Sequence, residues 1–563
     1  MDPRNLARLL VSIAVVGIFT ACSPVPTPTL SENHQGGTVT LALYQEPDTL
    51  NPLLASQRAA GEVHTFIIEG LLGVNERGEF YPVLATEVPS RANGGVSQDG
   101  LTITYHLRHD VLWSDGQPFT CDDVRFTWEA VITPQSGAVS TTGYSDINSL
   151  NCPDPYTAVM HYRTFYAAYL VPFWAILPRH ATGNPSDMSH WEYNRHPIGT
   201  GPFEMTDWVS GDHITLVRNE HYRASGKPHL DRIIIRFVPS RDIALQLLRT
   251  GEVTVVWDLA EANLPQVTKM PGVLVGQAPS PRSERLLLNL AAPGSASGSD
   301  RQPHPILGDA RVRQALEDAI DKREIVNRLL EGQAQVGTNE LNIGWAHCDT
   351  APSIFDPVKA RQLLDEAGWQ VGSDGIRVAR GAKYAPDGTR LRLKLQGPTG
   401  DSVREQVEEL LLDRWRAVGV EAYIENAPTA ALFGTWDSGA AARRGNFDIL
   451  IFTTGPYVDP QSQIEGYFSS WNIPQASNKG AGYNYSRWSN ATADEQIRVA
   501  GSTPDLDARR SAYCKVMAQV IQDRPEIYLF ARLSIAAYRD QLQGWSTNVW
   551  KNLGWNSADW WLK

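Results

Sequence analysis

The stretch Leu84–Trp128, LATEVPSRANGGVSQDGLTITYHLRHDVLWSDGQPFTCDDVRFTW, joins a strand pattern to the start of a helix. Apolar residues alternate with polar ones in its middle: Leu101, Ile103, Tyr105 and Leu107. A period of two predicts a half-buried β-strand. Turn signals follow at Asp115-Gly116 and Gln117-Pro118, so the strand is expected to end before a loop.

The helix start that closes this stretch carries two adjacent acids, Asp122 and Asp123. Thr120 suits the N-cap position, and Asp123 stands three residues later, as in a capping box. Acids in a first helical turn interact favourably with the helix dipole. We therefore interpret the two carboxylates as capping groups and not as a catalytic pair.

The second half of the sequence alternates helix patterns with strand patterns. Helices are expected to begin after Asp309, at Asp356-Pro357, at a capping box formed by Ser402 and Glu405, and after Asp505. Strands are expected at Val420–Ile424 and Glu526–Ala531. Helices between strands indicate an α/β fold in which helices cover the faces of the sheets.

The N-terminus has the pattern of an export signal. Arg4 and Arg8 flank the start of an apolar stretch, Leu9–Phe19, which is shorter than the roughly 20 residues that a membrane-spanning helix needs. The residues before and at Cys22 resemble the bacterial lipobox, in which the cysteine is acylated and becomes the first mature residue. Residues 1–21 are thus predicted to be a lipoprotein signal peptide and the Pro-rich residues 22–35 a flexible linker. An ordinary signal peptide with an incidental cysteine is the alternative.

The chain has five cysteines, at positions 22, 121, 152, 348 and 514. If Cys22 carries lipid, four remain, which suits two disulfides in an exported protein. Sequence alone allows three pairings of these four. No pair has the C-x-x-C spacing, so zinc binding and thioredoxin-like chemistry have no support.

Composition and motifs narrow the class of protein. The 563 residues are too many for one core and enough for two or three lobes. A net charge of −12 argues against nucleic acid or an anionic membrane face as partner. The sequence lacks the G-x-S-x-G, H-E-x-x-H, P-loop and G-x-G-x-x-G patterns, and its 13 histidines are scattered. We expect no catalytic residues, no metal and no cofactor.

Aromatic residues are dense in one Gly-rich segment, where they are Trp436, Tyr457, Tyr467, Phe468 and Trp471. Any single one could belong to a core. A group of them on loops favours a binding cleft.

Six stretches, read in order, resemble the extracellular solute-binding proteins of family 5, the oligopeptide, dipeptide and nickel receptors of ABC importers. They are Leu84–Trp128, GTGPFEMTDWVSGDHITLVRNEHY (Gly199–Tyr222), DARVRQALEDAIDKREIV (Asp309–Val326), FDPVKARQLLDEAGW (Phe355–Trp369), FDILIFTTGPYVDPQSQ (Phe447–Gln463) and YNYSRWSN (Tyr483–Asn490). Their order and spacing run through nearly all of the expected mature chain.

The resemblance implies an α/β, two-lobed clamshell of the periplasmic-binding-protein type (type II, cluster C), with an extra small subdomain in the N-terminal lobe. Lobe I would comprise 36–69, 199–285 and 526–563, its small subdomain 70–198, and lobe II 286–525. On these boundaries the expected disulfides are Cys121–Cys152 and Cys348–Cys514, because a bond between lobes would oppose hinge closure.

The implied function is that of a monomeric, lipid-anchored receptor outside the cytoplasm. It would capture a solute, with an oligopeptide favoured, and deliver it to a membrane permease driven by a separate ATPase chain, without catalysing a reaction. An oligosaccharide or an opine-like solute is the alternative in the same role. An exported hydrolase, or a chaperone or signalling receptor on the same fold, are alternatives of other classes.

The residues expected to hold the solute are Glu46, Asn51, Trp436, Thr454, Gly455, Tyr457, Asp459 and Trp471. In the peptide receptors, an aspartate shortly before a DP pair binds the α-amino group of the ligand. Pro456 occupies that position here, so an amine would have to contact Asp459 or Glu46. Plainer roles compete: Asn51-Pro52 as a turn and Asp459-Pro460 as a helix start.

The lipid anchor can be tested by the change Cys22→Ser. One acyl chain binds a membrane only marginally and two make a stable anchor, so the variant should move to the soluble fraction. Fractionation and palmitate labelling measure this. A variant that still sediments with membranes, beside a wild type that incorporates no palmitate, would contradict the assignment.

Overall fold

The computed structural model describes residues 36–563 except 56, 57, 135, 139, 294–301, 435, 437, 456, 479, 481 and 552. The expected signal peptide, the linker, Cys22 and Pro456 lie outside the described residues. None of the helices in the described part is both long enough and apolar enough to cross a membrane.

The helices and strands follow one another in two halves. The first half contains β1 (Thr38–Leu43), α1 (Arg58–Ile67), β2 (Leu72–Val74), β3 (Phe80–Pro82), β4 (Thr102–His106), α2 (Cys121–Ile132), β5 (Ile147–Asp154), β6 (Thr157–Tyr162), β7 (Phe203–Val209), β8 (His213–Arg218), β9 (Arg232–Phe237), α3 (Arg241–Thr250), β10 (Val255–Trp257), α4 (Leu264–Val267) and β11 (Val273–Leu288). The second half contains α5 (Ala310–Asp318), α6 (Lys322–Leu329), β12 (Gln335–Val336), α7 (Pro357–Glu366), β13 (Trp369–Val371), β14 (Arg377–Ala379), β15 (Arg392–Gln396), α8 (Ser402–Arg416), β16 (Glu421–Ile424), α9 (Thr429–Phe433), α10 (Ala441–Arg444), β17 (Ile449–Thr454), α11 (Gln461–Phe468), α12 (Ala491–Ser502), α13 (Leu506–Asp523), β18 (Glu526–Arg539), β19 (Leu542–Gln543) and β20 (Trp561–Leu562).

One mixed sheet runs through both lobes, in the order β16-β15-β17-β11-β18-β10-β1-β9-β8-β7, with β12 paired to β18. In lobe I, β1 is parallel to β9 and β10, and in lobe II, β15 is parallel to β16 and β17. The small subdomain has its own three-stranded sheet, β4-β6-β5. The fold is therefore α/β with two lobes and an extra subdomain, as expected.

The antiparallel pair β11 and β18 connects the two lobes. The strands pair from Val273 with Arg539 at one end to Leu287 with Glu526 at the other. The register shifts between Pro279 and Ser283, where a proline cannot donate to the ladder. This irregular point lies where the strand pair passes from one lobe to the other, which is the position expected for a hinge.

The cores show where each hinge strand changes lobe. Leu286 of β11 and Ile527 and Phe530 of β18 belong to the core of lobe II. Ile535 and Ala537, further along β18, pack in a core of lobe I. The start of β18 thus packs in the core of lobe II, whereas the boundary predicted at residue 526 assigns the whole strand to lobe I. The strand also continues well past Ala531, its expected end.

The helix starts follow the sequence prediction except at α8. The carboxylates of Asp309, Asp356 and Asp505 accept hydrogen bonds from amides of the first turn. At α8 the expected capping box of Ser402 and Glu405 is wrong. Asp401 is the N-cap, because its carboxylate accepts from the amides of residues 403 and 404, both at 3.1 Å, and Ser402 is already helical.

The acids at the start of α2 are structural, as interpreted. Asp123 accepts hydrogen bonds from the amides of Thr120 at 2.9 Å and Arg179 at 3.0 Å. Asp122 forms an ion pair with Arg125 at 2.6 Å. Burial raises the pKa of the Asp123 carboxyl, and the hydrogen bonds oppose that rise.

Both disulfides have the expected pairing. Cys121–Cys152 joins α2 to β5 within the small subdomain, and Cys348–Cys514 joins a loop to α13 within lobe II. Each bond constrains one unit, so neither crosses the hinge.

Replacing both Cys121 and Cys152 by serine should destabilise the small subdomain by about 3 to 4 kcal/mol, the loop-entropy expectation for a separation of 31 residues. Denaturant unfolding of the variant and the wild type measures the loss. The matched control is the double serine variant at 348 and 514, which should lose more because its loop spans 166 residues. Peptide mapping that joined Cys121 to Cys348 would refute the pairing.

Candidate functional site

A cavity of about 470 Å³ lies where the parallel strands of lobe I end. The carboxyl ends of β1, β9 and β10 meet at this edge, and ligands of open α/β sheets bind beyond such ends. The lining residues are Leu43, Tyr44, Gln45, Ala59, Pro239, Ser240, Arg241, Asp242, Trp257 and Asp258. The position favours a binding cleft here.

An aromatic pair and an ion pair stabilise the wall of this cavity. The Tyr44 hydroxyl donates to the Trp257 carbonyl oxygen at 2.7 Å, and the two ring centroids are 6.4 Å apart. Arg241 donates to the Asp258 carboxylate at 2.9 Å and lies 5.3 Å from the centre of the Tyr44 ring. Asp258 has a φ of 55°, which non-glycine residues seldom adopt and which recurs at ligand sites.

Lobe II has a group of aromatic rings near the carboxyl end of β17. Its members are Phe433, Phe452, Tyr467, Tyr483 and Tyr485, whose neighbouring rings lie 4.9 to 6.3 Å apart. The Arg443 guanidinium lies 5.4 Å from the centre of the Tyr483 ring, and that tyrosine is half exposed. Aromatic rings with an adjacent cation can bind extended apolar or partly charged solutes.

A family model described as bacterial extracellular solute-binding proteins, family 5 Middle, matches residues 79–475. The chain belongs to this family. The oligopeptide-binding protein AppA of Bacillus subtilis is 24% identical over 100% of both chains. The structure of NikZ from Campylobacter jejuni in complex with Ni(L-His) has a TM-score of 0.74 at 25% identity, over 93% of this chain and 99% of that one.

The structure of AppA in complex with a nonapeptide gives a TM-score of 0.70 at 22% identity, over 94% of this chain and 100% of that one. Family 5 binding proteins are extracytoplasmic, bind peptides or small molecules, and work with an ABC permease and ATPase. The clamshell class and the suspected family are thus confirmed.

In this family 5 protein, Asp459 is held by an arginine. Its two oxygens accept from Arg509 at 2.7 and 2.8 Å, and both residues are buried. Burial alone would lower the pKa of the Arg509 guanidinium, but the Asp459 carboxylate raises it. Arg509 also donates to the Ala167 carbonyl at 2.9 Å, so the pair connects lobe II to the small subdomain. The carboxylate expected to meet a solute amine is therefore already engaged.

Glu46 and Asn51 are also engaged within lobe I. Glu46 accepts hydrogen bonds from Trp208, Ser210 and Gly211 at 2.8 to 2.9 Å. Burial alone would raise the pKa of the Glu46 carboxyl, and these hydrogen bonds lower it instead. Asn51 is fully buried, and its side chain contacts Asn194 and the amide of residue 53, both at 3.0 Å. These contacts are those of a turn, which was the alternative to solute binding considered for Asn51.

The aromatic residues expected in the cleft are dispersed over lobe II. Trp436 packs under Arg444, with 4.0 Å between the guanidinium and the ring centre. Trp471 donates to Glu465 at 3.0 Å and lies under Arg498. Tyr457 is 71% exposed. Among the described residues, no ring contact joins these three aromatic side chains to one another.

Thr454 and Gly455 lie where β17 approaches the hinge. Thr454 is paired with Ser283 of β11. A β-carbon at position 455 would come within 2.4 Å of the Pro281 carbonyl oxygen, so the close approach of the two backbones requires glycine there. These two residues position the hinge side of the cleft.

The sequence reasoning missed Tyr44, Trp257 and Asp258. Trp257 ends a strand pattern, Val253 to Trp257, and Asp258 follows it, so the rule that ligands bind at strand ends could have indicated both. Tyr44 follows the first strand directly. Tyr483 and Tyr485 lie in a stretch that identified the family, but sequence did not show which way their rings point.

A buried pair of acids lies behind β17 in lobe II. Glu340 and Glu526 flank Arg285 at 2.5 and 2.8 Å, and all three side chains are almost completely buried. Burial raises the pKa of the Glu340 carboxyl and the Arg285 cation opposes that rise. Gln463 and the Tyr528 hydroxyl donate to these carboxylates at 2.5 and 2.9 Å. A substrate cannot reach this pair, so it has the geometry of a core ion cluster.

The change Asp459→Asn should lower the free energy of unfolding by about 3 to 5 kcal/mol, because it leaves a buried arginine without its counter-ion. Denaturant unfolding measures this loss. The exposed lobe II change Asp413→Asn is the control and should alter stability by less than about 0.5 kcal/mol. Unchanged stability, with weaker binding of a free-amine peptide but not of its N-acetylated form, would instead make Asp459 a ligand contact.

Proposed function

We propose that this protein captures a peptide between its two lobes and delivers it to the permease of an ABC importer. The observation that carries the proposal is the cavity at the strand ends of lobe I, next to a hinge of two continuous strands. A solute that contacts both lobes only when they are closed would shift the equilibrium between open and closed forms. The match to AppA over the whole of both chains supports peptides as the solute class.

Binding without reaction is the favoured role. Acyl or glycosyl transfer needs a nucleophile or paired acids that touch the substrate. The described acids near the hinge are paired with arginines, as in Arg285–Glu340 and Asp459–Arg509, and are buried. The relatives AppA and NikZ are solute-binding transport proteins, which also favours a protein that is not an enzyme.

Recognition of the solute would rest on the aromatic groups of the two lobes more than on capture of the α-amino group. Asp459 and Glu46 are engaged in the fold, and Pro456 has no charge. Tyr483 and Arg443 offer a flat apolar face beside a cation. The same arrangement would bind a sugar ring, so an oligosaccharide or opine-like solute is the second candidate.

The proposed setting is the outer side of the plasma membrane or the periplasm. Acylation of Cys22 would hold a monomeric receptor near its permease, and residues 22–35 would act as a flexible tether. Two disulfides suit an oxidising compartment.

A mixed pool of synthetic tri- to nonapeptides should bind and close the protein. Small-angle scattering should then show a smaller radius of gyration, and mass spectrometry should recover the bound peptides with unchanged masses. The change Tyr483→Ala should weaken binding about tenfold, equivalent to about 1.4 kcal/mol. The control is Tyr423→Ala on the edge strand β16, which should bind like wild type. Cleaved peptides would favour a hydrolase, and closure with oligosaccharides alone would favour the second candidate.

A further inference from the structure

A second, smaller cavity adjoins the first at the hinge side of lobe I. Its volume is about 40 Å³, and it shares Trp257 and Asp258 with the larger one. The other lining residues are Glu62, Ser534, Ile535, Ala536, Trp545, Ser546, Thr547, Asn548, Lys551, Leu553 and Trp555. The C-terminal segment that follows β19 therefore forms one side of it.

This segment lies where the three units of the molecule meet. Trp550 packs against Gly78 of the small subdomain and Gly344 of lobe II, and a β-carbon at Gly344 would be 2.7 Å from its ring. Asn548 donates to the carbonyl of Val74 at 2.9 Å. The segment that forms one side of the small cavity therefore also contacts the small subdomain and lobe II.

Lys551 is the only basic residue among the described residues that line this cavity. Within the described part of the chain its ammonium has no ion pair, hydrogen bond or ring contact. The residue keeps some exposure, yet burial lowers the pKa of the ammonium and no neighbouring charge opposes that shift. A cation that lines a cavity beside three tryptophans, with no ionic partner in the described part of the chain, favours binding of an anion.

The two acids of the same cavity have other partners. Asp258 pairs with Arg241 at 2.9 Å and lies 3.9 Å from Arg282. Glu62 accepts the amide of Leu553 at 2.7 Å. The tryptophans Trp257, Trp545 and Trp555 complete an apolar surround that would strengthen a charge pair by excluding water.

We propose that Lys551 binds a carboxylate of the solute, so that this receptor selects carboxylate-bearing solutes. This inference rests on the proposed function, which supplies the solute, and it adds the chemical group of the solute that the protein recognises. For a peptide, the carboxylate is either the C-terminus or an acidic side chain. The tryptophan-lined space beside Lys551 would exclude water from the contact.

Three pools of synthetic tetrapeptides test it: neutral side chains with a free C-terminus, neutral side chains with a C-terminal amide, and one glutamate with a C-terminal amide. Wild type should bind a carboxylate-bearing pool at least tenfold more tightly than the neutral amide pool. Whichever carboxylate-bearing pool binds more tightly than the neutral amide pool identifies the C-terminus or the glutamate side chain as the source of the carboxylate. Lys551→Met should reduce the ratio to about one without changing the affinity for the neutral pool.

The controls are Lys551→Arg, which should keep part of the preference, and Lys269→Met at an exposed position of lobe I, which should keep all of it. A preference that survives Lys551→Met, or its absence in wild type, would overturn the proposal while peptide binding itself stands.

A second readout does not depend on peptides. In the solute-free protein, Lys551→Met should raise the midpoint of thermal unfolding, because an unpaired ammonium is removed. A lowered midpoint would show that Lys551 has a partner within the fold and would overturn the proposal. If no pool binds to wild type, the proposed peptide function fails, and this midpoint decides the role of Lys551 by itself.

Discussion

The pairing of β11 with β18 is the constraint on which the rest of the molecule depends. Both strands cross from one lobe to the other as a hydrogen-bonded pair, so backbone hydrogen bonds join the two lobes on either side of the irregular point near Pro279. Arg532 lies at this point and contacts Glu261 of lobe I at 3.6 Å, and Glu284 and Asp401 at 3.3 and 3.1 Å. Backbone pairing and charge therefore act together at the hinge.

The position of the two crossing strands also explains how the charged residues near them are paired. Arg285, Glu284 and Arg532 belong to the two crossing strands, and each is neutralised by partners from a neighbouring element. A buried charge without a partner costs several kcal/mol, so buried charges on the strands that join the lobes have to be compensated within the fold. Asp459 follows the same logic through Arg509. Few of the described charged groups near the crossing strands are therefore available to a solute, and Lys551 is one that is.

The site is assembled from segments far apart in the chain. Tyr44 follows the first strand, Trp257 ends the tenth, and Lys551 lies near the C-terminus. The sheet order places β1 beside β10 and β10 beside β18, so these segments meet at one edge. The disulfides constrain the small subdomain and lobe II separately, and neither joins one lobe to the other.

The sequence by itself determined the α/β two-lobed class, the family, and the helix starts at Asp309, Asp356 and Asp505. These features depend on local periodicity, on caps formed by neighbouring residues, and on motifs that keep their order along the chain. The sequence did not determine the residue at which β18 passes from one lobe to the other, because a continuous apolar strand pattern is compatible with the core of either lobe.

Only the tertiary structure decided which polar groups are available to a solute. Asp459 and Glu46 have the chemistry of ligand contacts, but Arg509 lies 50 residues from Asp459 and Trp208 lies 162 residues from Glu46. Nothing local in the sequence indicates such partners. The reverse holds for Lys551, whose neighbours are ordinary in sequence. Trp545 and Trp555 lie within six residues of it, but Trp257 comes from β10, and only the folded chain brings that strand to the same cavity.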